Sequence, residues 1–172
     1  HAAKLSVRAG LDDGDLGPLV SDEQYKKVMS YLEAGKASGA RLRLGGGRPK
    51  DLNRGYFVAP TIFDRVAPEA SIAREEIFGP VAVAVDFDSE EQAVALANGL
   101  GYGLVAGINS RDITRALGLA QRIEAGSIWI NGWFIGGVQA PTGGIKDSGI
   151  GRERGLPGIR NYLSIKNIGI RL

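Results

Sequence analysis

The 172 residues contain no cysteine, and their only histidine is His1. The lack of cysteine excludes disulfides, thiolate metal sites and a cysteine nucleophile supplied by this chain. A single histidine at the first position also excludes a catalytic triad or a metal site centred on histidine, because chain termini are usually poorly ordered.

The chain also lacks a strong excess of charge and any long apolar run. Its formal net charge is +2, with both signs interspersed, so no nucleic-acid or membrane partner is indicated. The apolar stretches are shorter than the roughly 20 residues of a membrane span, and residues 1–10 lack the apolar centre of a signal peptide. We therefore expect a cytoplasmic setting.

Glycine, by contrast, is abundant. The chain has 26 glycines, clustered between residues 126 and 158 without a fixed period. This pattern predicts tightly bent loops and not a repeat protein. With 44% apolar residues, the chain is long enough to form one domain with a sizeable core.

The stretch from residue 74 to 87 combines charge, an aromatic ring and a rigid turn. Glu75 and Glu76 precede Phe78, and Gly79-Pro80 then leads into the apolar run Val81–Phe87. Proline suits the start of a strand because it has no amide proton. A run that is apolar on both faces predicts a strand of a parallel sheet that helices cover. The acid and the ring are therefore expected at the mouth of a buried strand.

Helices and strands are predicted to alternate along the chain. Ser21 and Ser89 begin capping boxes, and Asp112 can cap a third helix. The alternation after residue 81 predicts a parallel sheet with right-handed crossovers, and ligands bind beyond the carboxyl ends of such strands. Strands are predicted at 41–44, 56–63 (a short edge strand), 81–87, 104–109 and 127–130.

Two later stretches predict contacts. Residues 132–149 are irregular yet mostly apolar, so we expect them to line a pocket or to contact another subunit. Leu163–Ile170 predicts a terminal strand, which either joins the edge of the home sheet or pairs with a neighbouring chain.

The motif Glu76–Pro80, E-I-F-G-P, resembles a hallmark of the aldehyde dehydrogenase superfamily. The resemblance covers essentially the whole chain and implies an α/β fold: a parallel three-layer αβα sheet of the catalytic-lobe type in residues 1–160, with a C-terminal oligomerisation strand in residues 161–172. Further family-like landmarks follow in order: Leu16–Leu19, Gly45–Gly47, Gly55–Thr61, Asn98, Tyr102–Leu104, Ala125–Gly126, Asn131, Pro141–Gly149 and Gly151–Glu153.

The resemblance also implies a reaction. In that family a cysteine attacks the aldehyde, a hydride passes to NAD or NADP, and water hydrolyses the thioester with a glutamate as base. The family pattern places the cysteine and the nucleotide-binding fold before the first residue of this sequence. The chain thus resembles the C-terminal third of such an enzyme, and alone we expect it to be inactive and to bind NAD or NADP poorly.

Site residues follow from the motif match. Glu76 is implied to accept hydrogen bonds from the nicotinamide ribose, and Phe78 to confine the nicotinamide. Residue types alone instead favour a turn-capping Glu76 and a core-filling Phe78, and the resemblance reverses that preference. Glu153 matches a glutamate assigned to proton relay, and the alternative is an ordinary carboxylate at a helix start.

The expected substrate pocket comprises Asn131, Trp133, Phe134 and Thr142. Asn131 is more readily explained as a brace for the pocket loop than as a substrate contact. Thr142 stands where the family usually has phenylalanine, which removes an aromatic wall. We expect a roomier or more polar pocket, partly refilled by Trp133 and Phe134.

Three functions remain open from the sequence. The first is a portion of an NAD(P)-dependent aldehyde dehydrogenase that forms a homo-oligomer through its terminal strand. The second is a self-associating interaction module without catalysis, and the third is a half-enzyme completed by a separate chain that carries the cysteine. In each case we expect exposed apolar surface, which usually marks an interface.

Overall fold

The computed structural model describes all 172 residues, and the chain divides into two compact units, residues 1–87 and residues 88–172. Helices and strands alternate in both, which confirms the α/β class. The helices are α1 (Asp22–Ala37), α2 (Ser71–Arg74), α3 (Glu90–Asn98), α4 (Ile113–Arg122) and α5 (Gly155–Arg160). The strands are β1 (Arg41–Leu44), β2 (Thr61–Asp64), β3 (Val81–Val83), β4 (Tyr102–Gly103), β5 (Val105–Ile108), β6 (Ser127–Ile130) and β7 (Ile145–Lys146).

The three longest helices begin where their capping residues predict. The Ser21 and Ser89 hydroxyl oxygens each accept a hydrogen bond from the backbone N–H three residues later, at 3.1 Å. The Asp112 carboxylate accepts the N–H of Arg115 at 3.0 Å. Each such cap stabilises a helix by about 1 kcal/mol. No helix has the length and apolarity that crossing a membrane would require.

The first unit contains a three-stranded mixed sheet in the order β1-β2-β3. β1 pairs with β2 antiparallel, and β2 pairs with β3 parallel. The edge-strand prediction for residues 56–63 is therefore wrong, because β2 is the central strand. Pro60 lies one residue before β2 begins, so its missing N–H removes no hydrogen bond from the ladder.

Helix α1 covers one face of this sheet and forms the core with it. Val28, Leu32 and Phe63 are completely buried. The approach is close at Gly35, where an added Cβ would lie 2.8 Å from the Phe63 ring. The buried cluster also contains Val58, Val66, Ile72 and Ile77.

Strand β3 is shorter and less enclosed than predicted. It ends at Val83, and although Val81, Val83 and Val85 pack against the core, Ala82 and Ala84 on the opposite face are exposed. Burial on both faces is thus wrong for this chain, since no element of residues 1–87 covers the alanine face.

The second unit is built around a β-α-β arrangement. Strands β5 and β6 pair in parallel from Val105↔Ser127 to Ile108↔Ile130, with α4 between them in sequence. Strands β4 and β7 form a separate antiparallel pair. The β5-β6 pairing agrees with the alternation predicted after residue 81. Strand β3 instead pairs in parallel with β2, which lies outside that alternation.

No strand follows α5. Residues 163–172 have no hydrogen-bonded strand partner and are exposed. Of the two alternatives for Leu163–Ile170, joining the edge of the home sheet is therefore wrong, because none of the seven strands pairs with it. Pairing with a neighbouring chain stays a prediction, as does the functional division at residue 160.

Candidate functional site

A turn at residues 75–80 connects α2 to β3. Phe78 adopts a positive φ of 53°, a left-handed conformation that costs a non-glycine residue roughly 1–2 kcal/mol. The N–H of Val81 donates to the Gly79 carbonyl at 2.7 Å, and the N–H of Thr61 donates to the Pro80 carbonyl at 2.8 Å. The turn therefore has one defined backbone path into the sheet.

Helix α1 holds this turn through the side chain of Gln24. The Gln24 amide nitrogen donates to two successive carbonyls, that of Ile77 at 2.9 Å and that of Phe78 at 3.0 Å. In a capping box this side chain would turn back to the helix start. Here it reaches the turn instead, so only the serine half of the predicted box forms.

Two further contacts lie on the same helical face. Val28 packs on the backbone of Gly79, where an added Cβ would come within 2.7 Å of a Val28 methyl group. The Tyr31 hydroxyl donates to the Glu75 carboxylate at 2.5 Å. Gln24, Val28 and Tyr31 follow one another at helical spacing. Gln24 and Val28 hold the backbone of the turn, and Tyr31 holds the side chain of Glu75 at its start.

The turn presents an acid and a ring to solvent. Glu76 is exposed and has no hydrogen bond or ion pair in the structure, and the Phe78 side chain is 70% exposed. Ile77 between them is buried and anchors the segment. A carboxylate with both oxygens free can accept one hydrogen bond from each hydroxyl of a vicinal diol. The neighbouring ring offers a flat apolar surface.

An aromatic cluster follows β6 in the second unit. The rings of Trp133 and Phe134 each lie 4.9 Å from the Trp129 ring, centroid to centroid, and 6.0 Å from one another. The Trp129 indole N–H donates to the carbonyl of Ile135 at 3.1 Å and fixes the loop. Trp133 and Phe134 nevertheless remain more than half exposed.

Asn131 joins the ends of β5 and β6. Its side-chain oxygen accepts the N–H of Ser110 at 2.8 Å, and its amide nitrogen donates to the Ser110 carbonyl at 2.8 Å. The residue has a positive φ of 56°, which asparagine tolerates better than most residues. Both polar groups of the side chain are thus used within the fold.

Thr142 and Glu153 lie opposite one another in an isolated antiparallel bridge, with N–H to carbonyl distances of 2.9 and 2.7 Å. Thr142 lines a cavity of about 260 Å³ together with Phe134 and Trp129. Glu153 is exposed and lines a larger groove of about 1020 Å³. The structure therefore groups Thr142 with the aromatic cluster.

Lys146 fixes the glycine-rich loop that carries Thr142. Its ammonium group donates to the carbonyls of Asn98 and Leu100 at 2.8 and 3.3 Å and pairs with the Glu124 carboxylate at 2.6 Å. Asn98 in turn accepts the N–H of Glu124 at 2.8 Å. This network ties the loop to the end of α3 and to the segment between α4 and β6.

No group of three or more histidine, aspartate or glutamate side chains lies close enough to hold a metal ion. The candidate sites are therefore the turn of the first unit and the aromatic loop of the second, each built on parallel strands. The sequence model of the aldehyde dehydrogenase family matches residues 1–168.

The chain belongs to the aldehyde dehydrogenase family. Betaine aldehyde dehydrogenase of Brucella anthropi is 44% identical over 98% of this chain and 35% of the relative. Aminoaldehyde dehydrogenase 1 of Pisum sativum is 45% identical over 97% of this chain and 33% of the relative. The chain thus spans about a third of the length of the relatives it matches.

Solved structures of aldehyde dehydrogenases show the same fold. Betaine aldehyde dehydrogenase of Staphylococcus aureus in complex with NAD+ is 40% identical, with a TM-score of 0.89 over 95% of this chain and 33% of that one. The NAD+ complex of aldehyde dehydrogenase from Bacillus cereus is 42% identical, with a TM-score of 0.90 over 96% and 33%. The identification as part of an aldehyde dehydrogenase, with its α/β fold, is confirmed.

Sequence reasoning found the turn but missed what holds it. Gln24 was predicted only as a capping residue, although Gln24, Val28 and Tyr31 share one helical face. Trp129 was predicted only as part of a strand, and Lys146 only as part of a motif. Nothing in the local sequence of either residue indicates the distant carbonyls to which its side chain donates.

Proposed function

We propose that the chain functions as the C-terminal catalytic-domain portion of an NAD(P)-dependent aldehyde dehydrogenase, which oxidises an aldehyde to a carboxylic acid. The observation that carries this proposal is the turn at residues 75–80, where an exposed, unpaired Glu76 and an exposed Phe78 stand on a fixed backbone. Family membership and the NAD+ complexes of two structural neighbours support it.

The geometry of the turn suits a nicotinamide ribose. Glu76 would accept hydrogen bonds from the two ribose hydroxyls, since neither of its oxygens has a partner within the chain. Phe78 would lie against the nicotinamide and limit its movement, which is catalysis by positioning. The bound cofactor supplies the hydride acceptor. Glu76 and Phe78 hold and orient it.

We further propose that the 172-residue chain is inactive alone, because it contains no cysteine. A point mutant of the Staphylococcus aureus neighbour carries a modified cysteine together with NAD+. The lack of cysteine in this chain also keeps two alternatives open. These are a non-catalytic interaction module and a half-enzyme completed by a separate chain.

A hybrid enzyme tests the proposal, with residues 1–172 replacing the matching third of the Brucella anthropi relative. We expect it to form NADH from an aldehyde, and Glu76→Gln to raise the KM for NAD+ about tenfold, because glutamine loses the charge and one acceptor. Glu69→Gln is the matched control, since Glu69 is also exposed and unpaired in the same unit. An unchanged KM in Glu76→Gln would overturn the cofactor assignment.

The same assay separates the three functions. The chain alone, the chain mixed with the remaining two-thirds of the relative, and the hybrid enzyme are compared for NADH formation. Activity in the hybrid alone supports a portion of one enzyme, and activity in the mixture supports a half-enzyme. An inactive but folded hybrid that retains self-association favours the interaction module.

For the substrate pocket we propose that Thr142, with Trp133 and Phe134, shapes the space for the aldehyde, while Asn131 braces the loop. Thr142 lines the cavity of about 260 Å³ beside Phe134. We propose Glu153 as a proton relay, because it is exposed on the adjoining groove. Exposed apolar residues after α5 support a homo-oligomer formed through the C-terminal segment.

Thr142→Phe tests the pocket in the hybrid enzyme. We expect kcat/KM for bulky aldehydes to fall about tenfold and that for small aldehydes to hold, because a ring then occupies part of the space. Thr114→Phe on the exposed side of α4 is the control. The same order of substrate preference in Thr142→Phe and in the unmodified hybrid would contradict the assignment.

A further inference from the structure

Gln24 makes an unusual pair of hydrogen bonds. Its single amide nitrogen carries two protons, and each proton goes to one of two consecutive carbonyls, at Ile77 and Phe78. Consecutive carbonyls point to opposite sides of an extended chain. They converge on one donor only when the residue between them leaves the extended conformation, as Phe78 does at a φ of 53°.

We infer that Gln24 is a positioning residue, which holds Phe78 in its left-handed conformation and thereby presents Glu76 and Phe78 in the orientation that a nicotinamide nucleotide needs. This inference rests on the proposed function of the turn. The side chain reaches the turn from α1, across 53 and 54 residues of sequence, and it bonds two backbone carbonyls, not the Glu76 carboxylate.

The physical reason lies in the cost of the conformation. A phenylalanine does not adopt the left-handed region without support. Val28 and Tyr31 fix Gly79 and Glu75 on either side, but only Gln24 bonds the peptide groups that flank Phe78. Without this side chain the turn adopts other backbone conformations for part of the time. The apparent Kd of a ligand then equals the intrinsic Kd divided by the fraction of molecules that can bind.

The first test is amide hydrogen exchange on the 172-residue chain. Gln24→Met keeps the length of the side chain and removes both donors, while the Ser21 cap uses the backbone N–H of residue 24 and is retained. We expect exchange of the Val81 amide, which donates to Gly79, to quicken about tenfold, with amides within α1 unchanged. Equal exchange at Val81 in both proteins would overturn the inference.

Gln92→Met is the matched control. Gln92 occupies the corresponding capping position of α3, and its side-chain oxygen accepts the N–H of Asp88 close by. Its replacement disturbs a helix start without touching the turn. Quicker exchange at Val81 in Gln92→Met as well would mean a general loss of stability and would contradict a specific role.

A second variant, Phe78→Gly, distinguishes a specific effect of Gln24→Met from poor folding. Phe78→Gly removes the conformational cost, because glycine adopts the left-handed region readily. In that background Gln24→Met should change the exchange of Val81 by less than twofold. An undiminished effect would show that Gln24 acts by another route.

The final readout is kinetic and uses the hybrid enzyme. Gln24→Met should raise the KM for NAD+ about tenfold and leave the KM for the aldehyde unchanged, a separation that a merely structural residue would not produce. If exchange quickens and Glu76→Gln raises the KM for NAD+ but Gln24→Met does not, the positioning role is overturned. If Glu76→Gln has no effect, the proposed function fails, while quicker exchange still supports Gln24 as the residue that holds the turn.

Discussion

Residues with a positive φ concentrate around the candidate sites. Seven residues other than glycine have this conformation, and such strain persists only where the surroundings enforce it. A left-handed backbone is unfavourable for phenylalanine, yet both Phe78 and Phe134 adopt it. Contacts with the surrounding residues therefore determine the orientation of each ring. Five of the seven lie in the turn or in the second unit: Phe78, Asn131, Phe134, Lys146 and Arg154.

The ion pair between Arg41 and Asp64 predicts a pH dependence of stability. The two residues face each other across β1 and β2, and the guanidinium donates to both carboxylate oxygens at 2.7 Å. This hydrogen bonding lowers the pKa of Asp64 below its ordinary value, with a smaller contribution from Arg43. A lowered folded-state pKa stabilises the fold above the unfolded value, about 3.9, and that stabilisation is lost as pH falls through the folded value.

We therefore expect the free energy of unfolding to fall more steeply below about pH 4 in the unmodified chain than in Asp64→Asn. Urea unfolding at a series of pH values measures this slope. The effect should weaken with added salt, since the pair is partly exposed. Asp51→Asn is the control, as Asp51 is exposed and forms no ion pair. Parallel pH profiles for Asp64→Asn and the unmodified chain would contradict the assignment.

At the scale of elements, sequence predicted best what local chemistry determines. Ser21, Ser89 and Asp112 mark helix starts because a short side chain meets an N–H three residues later, within the same segment. β5 and β6 were likewise predicted within a residue or two of their ends. These signals lie within a few residues, so no knowledge of the rest of the fold is needed.

The elements that were predicted wrongly depend on distant partners. Strand β2 is the central strand because β1 and β3 pair with it on either side. The sequence of residues 56–63 does not indicate how many neighbouring strands will pair with it. Leu163–Ile170 has the composition of a strand but does not join the home sheet, because a strand forms only against a partner. Its pairing with a neighbouring chain stays a prediction. The burial of helix α4 also depends on distant partners: Ala116 is buried, while Ile113 and Leu117 remain more than half exposed.

The candidate sites divide in the same way. The exposed acid and ring of the turn could be predicted from Glu76-Ile77-Phe78 and the rigid Gly79-Pro80 that follows. The support from Gln24 could not, because a glutamine at a capping position is expected to bond locally. Motif residues are thus visible in sequence, while the side chains that orient them are found only in three dimensions.

At the scale of the whole chain, burial is uneven. Eight of the ten buried hydrophobic residues belong to residues 1–87, and only Ile108 and Ala116 belong to residues 88–172. The second unit instead exposes most of its large apolar side chains, including Trp133, Val138 and Leu156. Contiguous exposed apolar surface marks an interface or a risk of aggregation. The second unit therefore gains stability from whatever covers it.

The C-terminal segment after α5 is the most exposed apolar part of the second unit, and its role in self-association can be tested. Tyr162, Ile165 and Ile170 are between 81 and 101% exposed, and an unpaired apolar segment is prone to pair with a strand of another chain. We expect the chain to self-associate at micromolar to millimolar concentrations, with a mass by light scattering above the monomer's 18.2 kDa. Deletion of residues 163–172 should return the monomer and leave α5, which ends at Arg160, in place.

The control for this deletion replaces Leu11 with serine. Leu11 is fully exposed in the first unit, in a 3₁₀ turn away from any strand, so its replacement lowers surface apolarity without removing a segment able to pair. A monomer from the deletion and an oligomer from Leu11→Ser place the interface in residues 163–172. A monomeric unmodified chain at the highest concentration reached would contradict self-association, and an oligomeric deletion variant would move the interface to the exposed apolar loops between residues 133 and 138.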